Sequence, residues 1–351
     1  MKAWMGKIKA LILMGLMAVI LTGCGKENLT ALVPKGYGAD ESMKLIILTT
    51  VIMGGVFLVV VIVLAYVLIR FRRKKGQENY IPKQVEGNKT LETVWTIIPV
   101  ILVIIMAVPT TLVSFDLADA SDSKDHINID ITGNQYWWHF NYQDEDIQTS
   151  QDLYVPVGEK VYLNMISSDV IHSFWVPSIS GKMDVNPENT NTMYIEAYEE
   201  GVYWGKCAEL CGPSHSLMDF KVVVVSKEEY EQWVADMKNY DPEKDEPESA
   251  VAKEGKDLFE ENNCMACHAI GSSPVQVGPN LTNFGNRSRI AGYKETTKEN
   301  LVNWLKDPEE MKPGNLMTGK YPELNDDEAD KIAEYLLQLK VTDVTPDSAG
   351  K

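Results

Sequence analysis

The apolar positions of this chain follow three different rhythms. Leu45 to Ile69 is 25 residues without a charge, and Arg70, Arg72, Arg73, Lys74 and Lys75 follow at once. A helix of that length reaches roughly 37 Å, enough to cross a hydrocarbon core of roughly 30 Å with some tilt. A second uncharged run, Thr93 to Phe115, ends at Asp116 and Asp119. Neither run carries the polar stripe of a helix lying on a soluble core. The two predict a transmembrane hairpin over 45–115. From His126 to Val225 the rhythm shortens to alternation, as in Ile127, Ile129 and Ile131, broken by turns such as Pro156-Val157-Gly158-Glu159. Many short strands between turns predict an all-β sandwich or barrel over 116–240. Residues 227–238 read as a short surface helix. The charged, proline-broken stretch 241–250 reads as a flexible linker, with docking beyond it transient. Helical spacing returns over 251–341, with Leu301, Trp304 and Leu305 on one face and Ile332, Tyr335, Leu336 and Leu339 on another. Asn325 followed by Glu328 predicts a capped helix start. Residues 342–351 are a tail.

Charge sharpens this division. Residues 1–115 hold 13 basic and 6 acidic side chains, whereas 116–250 hold 8 basic and 27 acidic. The basic loop between the apolar runs belongs on the cytoplasmic side, which puts everything after Phe115 outside. An acidic external part repels a polyanion, so nucleic acid is excluded as a partner. Pro99 and Pro109 inside the second span point to packing against another membrane subunit. The start of the chain has Lys2, Lys7 and Lys9, an apolar run from Ala10 to Leu21, then Thr22-Gly23-Cys24. That order describes a secretory signal over 1–23 and an external segment over 24–44. Leu21-Thr22-Gly23-Cys24 resembles a bacterial lipobox, which implies cleavage before Cys24 and a lipid on its sulfur. A plain signal peptide with an incidental cysteine is the alternative.

The other four cysteines form two tight pairs, each with its own chemistry. Cys264-Met265-Ala266-Cys267-His268 is the C-x-x-C-H signature of covalent haem attachment. Two thiols on one turn reach both vinyl groups of a haem, and the adjacent His sits under the iron. A thioredoxin-like pair wants a βαβ frame, and zinc wants a second ligand pair nearby. Met311 and Met317 are the downstream candidates for the second axial ligand. Residues 251–341 resemble the all-α class I cytochromes c through C-x-x-C-H, Gly278-Pro279-Asn280-Leu281 and Pro313-Gly314-Asn315-Leu316-Met317. The resemblance selects Met317, and a Met–His pair raises the haem potential.

His172, Cys207, Cys211, His215 and Met218 make the second constellation. Thiolate, imidazole and thioether together are soft ligands that suit copper, and the second Cys suffices for two coppers bridged by sulfur. A disulfide, a zinc site, or Met218 as plain core are the bland alternatives. Residues 91–225 look like subunit II of cytochrome c oxidase: Asp169-Val170-Ile171-His172-Ser173-Phe174-Trp175-Val176-Pro177 and the Cys207–Met218 run match its copper motif in order and spacing. The resemblance implies a cupredoxin-like barrel after a two-helix hairpin and a binuclear copper held by those five side chains and the Glu209 carbonyl. It also implies a magnesium near the Glu209 carboxylate at the junction with subunit I. Both resemblances in one chain match the form with a fused cytochrome c. That form implies a multi-pass protein of the bacterial cytoplasmic membrane, its copper and haem domains external, passing electrons from haem c to copper and on to subunit I, where oxygen is reduced to water. An external cytochrome c or a quinol–cytochrome c reductase would be the donor. Tyr136, Trp137 and Trp138 align with the aromatic segment above the copper, where the family often has Trp first; an electron path and a structural cluster are both open. Glu92 matches a proposed proton-uptake carboxylate, or is simply a solvated helix-start acid. A membrane-anchored carrier and the input subunit of a nitric oxide reductase are the competing functions. A quinol oxidase subunit lacks copper ligands, and a nitrous oxide reductase needs a further catalytic domain.

Overall fold

The computed structural model describes residues 12–17, 28–72, 76, 81, 83–119, 123–271, 277–346 and 349; the Leu21–Cys24 tetrad lies outside them. Two long helices, α1 (Tyr37–Arg70) and α2 (Lys89–Leu117), form the hairpin. Asn88 caps α2 by accepting from the Leu91 N–H at 3.1 Å. The apolar flanks of both helices are bare, as expected of a surface whose solvent is lipid. At 34 residues, α1 is about 51 Å long and overshoots a bilayer core. Its extra turns are N-terminal to the apolar run: Gly38 and Ala39 are buried, and the Ala39 N–H donates to Ile179 O at 3.0 Å. The two helices are tied at this end, because Tyr37 Oη and Tyr194 Oη both donate to Asp116 Oδ2, at 2.8 and 3.3 Å. The segment before α1 is sewn down as well, with Lys35 N–H donating to Ser178 O and Trp204 N–H to Asn28 O.

The β domain is a sandwich of two five-stranded mixed sheets, the cupredoxin-like half-barrel. One runs in the order β3 (Ile147–Ser150), β2 (Trp137–Tyr142), β1 (Ile127–Asn134), β5 (Val161–Ser167), β8 (Asn191–Ile195). The other runs β4 (Asp152–Pro156), β10 (Asp219–Val225), β9 (Gly201–Cys207), β6 (His172–Trp175), β7 (Lys182–Val185). The Ile129/Ile131 alternation turns inward, and both side chains are wholly buried. Between the sheets, Trp138 meets Phe174 edge-on at 5.6 Å, and Phe174 stacks on Phe220 at 4.5 Å between ring centres. Glycine at position 205 is required here, since a Cβ would lie 2.1 Å from the Phe220 ring.

Helix α3 (Lys227–Asn239) starts from a capping box of Ser226 and Glu229. It is more than a surface helix: Tyr230, Trp233 and Met237 repeat at helical spacing and are buried, with Trp233 stacked on Tyr154 at 4.8 Å. The C-terminal domain is helical: α4 (Ala250–Glu261), α5 (Lys298–Lys306), the single turn α6 (Pro308–Met311) and α7 (Asp326–Gln338), plus a two-stranded β11–β12 (Arg289–Ile290, Lys294–Glu295). Asn325 and Glu328 cap α7 reciprocally. Gly255 lets α4 cross α7 closely, since a Cβ there would sit 2.0 Å from Lys331 O.

Beyond the charged stretch 241–250, the β domain and the C-terminal helical domain are bonded to one another at several points. Thr149 Oγ1 donates to Asn283 Oδ1 at 3.2 Å, Arg289 lies 5.3 Å over the Trp204 ring, and Lys221 donates to Ser288. The tail also returns: Thr342 Oγ1 donates to Asp236 Oδ2 at 2.7 Å, and Val344 joins the apolar core of the β domain.

Candidate metal and haem sites

His172 opens β6, Cys207 closes β9, and the loop from β9 to β10 brings round Cys211, His215 and Met218. The barrel therefore gathers ligands 46 positions apart onto one end. The sulfurs of Cys207 and Cys211 are 3.8 Å apart as free thiols, not a disulfide. His172 Nδ1 stands 3.9 Å from the Cys207 sulfur, His215 Nδ1 3.7 Å from that of Cys211, and Met218 Sδ 3.8 Å from the latter. The ligand atoms of His172, Cys207 and Cys211 lie within 4.8 Å of one another, and all three residues are buried. The backbone oxygen of Glu209 is 3.2 Å from the Cys207 sulfur, while its side chain is exposed. Two soft sulfurs, two imidazoles, a thioether and a carbonyl gathered at one end of the barrel fit copper by donor chemistry.

The surrounding electrostatics prepare these groups. His172 Nε2 bonds to Asp169 Oδ1 at 2.8 Å, which leaves Nδ1 turned to the sulfurs, the orientation a carboxylate partner gives a metal-binding imidazole. Burial opposes charge on that ring, yet Asp169 and Cys207 raise its pKa above the ordinary value. Burial works against the Asp169 carboxylate too, but bonds from His172 and the Gln135 and Val170 N–H groups hold it below its usual range. The Cys211 thiol, then His172 and nearby backbone donors, lower the Cys207 pKa against the effect of burial, whereas the same pairing raises that of Cys211. Asp169 belongs to the sequence motif, but nothing in its spacing marked it as the partner of His172.

The haem-binding signature lies after α4, at the mouth of an apolar cavity. Cys264, Cys267, His268 and Met317 all line it; Met311 does not, and its carbonyl instead receives the Tyr293 hydroxyl. His268 Nδ1 bonds to Pro279 O at 2.9 Å, leaving Nε2 as the available ligand atom. Burial lowers the pKa of this imidazole, with the Pro279 carbonyl acting the other way. A Cβ at Gly278 would stand 2.8 Å from the His268 ring, so glycine there lets the backbone cradle the imidazole. Arg287 and Arg289 also line the cavity, and the buried Nε of each has no hydrogen-bond partner among the described residues. Burial pushes Arg287 down to about 10, resisted by Asp152. Two thiols, an imidazole, a thioether and underused guanidinium donors fit a haem with its two carboxylates.

Part of the cavity wall comes from the β domain, as Gln135, Tyr136 and Trp137. Tyr136 is 4% exposed. Trp138 points the other way on β2, fully buried and edge-on to His172 with ring centres 6.0 Å apart. Glu92 stands exposed in the first turn of α2.

Three family profiles match consecutive parts of the chain: cytochrome c oxidase subunit II, transmembrane domain, over 39–115; its periplasmic domain over 145–226; and cytochrome c over 252–340. Cytochrome c oxidase subunit 2 of Bacillus subtilis is 46% identical, over 95% of this chain and 98% of the relative. That of Bacillus sp. PS3 is 48% identical, over 94% and 96%. The chain belongs to the cytochrome c oxidase subunit 2 family. Quinol oxidase subunit 2 of Bacillus spizizenii is 31% identical but covers 67% of this chain and 74% of its own. As a cytochrome c oxidase subunit 2, this chain is part of a haem–copper oxidase, an oxidoreductase complex with subunit I as partner. It carries a copper domain and a haem domain behind a membrane anchor.

Proposed function

We propose that the chain is the electron-input subunit of its oxidase, with a binuclear copper centre on His172, Cys207, Cys211, His215, Met218 and the Glu209 carbonyl, and one haem c on Cys264, Cys267, His268 and Met317. The observation that carries the reading is the buried cluster in which one imidazole and two thiols of this set converge within 4.8 Å. When bound, the two groups supply one-electron chemistry, between an external cytochrome c or quinol–cytochrome c reductase and the haem of subunit I.

The protein residues hold these groups in place. Asp169 and the Pro279 carbonyl each fix one imidazole by its far nitrogen. The exposed Glu209 carboxylate supports a magnesium ligand at the subunit I junction. Glu92, in an exposed first turn, is assigned as a proton-uptake carboxylate on the cytoplasmic side of a bacterial cell membrane. Cys24 is assigned as the lipid-bearing residue on the external side, in the same compartment as both redox domains.

Metal and haem stoichiometry on the purified oxidase, with an electron-spin spectrum, tests the centres. Two coppers sharing one spin and one haem in this chain are expected. His172→Ala is expected to abolish that copper signal while haem c absorbance stays intact; equal loss of both would sink the assignment.

A further inference from the structure

The loops bearing the two ligand sets touch each other. Ser214, wholly buried and adjacent to His215, donates its hydroxyl to Pro313 O at 2.7 Å. Pro313 opens the loop that ends at Met317, and this loop is braced from within. Glu309 accepts from the Gly314 N–H at 2.9 Å, and Asn315 Oδ1 accepts from the Met317 N–H at 2.9 Å. Just before it, the buried Lys312 ammonium donates to Tyr136 O and Ala291 O, both at 2.6 Å. Gln135 Nε2 in turn donates to Cys211 O at 2.5 Å. The Tyr136 ring fills the gap between the loops: a Cβ at Gly212 would lie 2.5 Å from its phenol oxygen, and one at Gly314 3.4 Å.

A seam whose only task was adhesion would be served by apolar side chains, because burying an ammonium is costly unless its donors are used. Here the cation is spent on carbonyls at the junction of the two ligand loops. A short bonded route runs from His215 through Ser214 and Pro313 to Met317.

We propose that Ser214, Lys312 and Tyr136 form a latch that fixes the haem-ligand loop against the copper-ligand loop and thereby sets the rate of internal electron transfer. They are positioning residues and hold no metal. The idea rests on the proposed donor role of the haem. In the step, one electron leaves ferrous haem, which is oxidised, and enters the copper pair, which is reduced; no atom or proton is transferred.

The test uses the purified oxidase complex. The haem c is photoreduced by a flash, and its visible band and the copper near-infrared band are followed together. Ser214→Ala and Lys312→Met are expected to slow the internal step about tenfold, equivalent to about 1.4 kcal/mol in the barrier. Haem content, copper content and the electron-spin signature stay unchanged, and hydrogen exchange of the 314–318 amides rises. Thr342→Val removes an interdomain bond far from this route, to Asp236, and is expected to leave the rate alone. An unchanged rate per loaded enzyme in both latch variants overturns the proposal, as does equal slowing in Thr342→Val. Should Lys312→Met fail to take up haem, Ser214→Ala decides by the same readings. No internal transfer in the unaltered enzyme overturns the donor assignment; normal transfer there with unaffected variants overturns the latch alone.

Discussion

The copper-ligand cluster and the haem cavity sit side by side and are built in opposite ways. The cluster is dense: its sulfurs and imidazoles already lie within 4 Å of their neighbours, and a carboxylate, strand ends and backbone groups hold them. The haem site is a hollow whose lining includes Phe259, Leu281, Leu301 and Leu305, with Cys264, Cys267, His268 and Met317 in the same wall. Each set has one imidazole fixed by a hydrogen bond, to Asp169 in one case and to the Pro279 carbonyl in the other, but the two differ in what the bound group would add. Copper ions would add charge but little volume to ligands set on strand ends. A haem would add its apolar faces to the surface that α4, α5 and α7 bury through Phe259, Leu301 and Leu336.

The largest effect should therefore come from the haem side. Cys264→Ser with Cys267→Ser is expected to abolish covalent haem and to remove the cooperative melting of 251–341, followed by calorimetry. The β domain should keep its own transition and its copper spectrum. Survival of a sharp transition in the helical domain would break the contrast. Next comes Asp169→Asn, which leaves His172 without its carboxylate. Copper affinity should fall about 10–100-fold with the fold intact, read by metal titration against a competing chelator. An unaltered affinity would mean that the strand ends alone orient the imidazole. Smallest is Ser226→Ala, which removes the cap of α3 and should lower β-domain stability by about 1 kcal/mol. Denaturant melting should show that loss with both spectra unaffected, because α3 packs at the far side through Trp233 and Tyr154.

How much of this was legible in the sequence follows the same divide between chemistry and packing. Cys264, Cys267 and His268, and the set from His172 to Met218, announce themselves because few side chains can do their work and the spacing is set by one turn or one loop. The hairpin is legible because lipid demands unbroken apolar runs. The extra N-terminal turns of α1 are not, since Gly38 and Ala39 look like ordinary small residues until Ile179 is placed beside them. The burial of Trp233 is not legible in the sequence, because its partner Tyr154 is 79 positions away. Least legible was the interdomain seam. Ser214, Lys312, Gln135 and Arg289 are common polar residues with no spacing pattern. Their pairing depends on tertiary approach, and a charged, proline-broken linker points to looseness instead.

The returning tail has a consequence for how the haem domain moves. That domain is leashed to the β domain at both of its ends, by the stretch after α3 and by Thr342 and Val344. A single leash would let it swing like a pendulum; two restrict it to a hinged flap. Re-engagement after any opening is then intramolecular, at an effective concentration set by two short tethers. Its contact with the copper domain should hardly respond to dilution, in contrast to that of a freely diffusing donor.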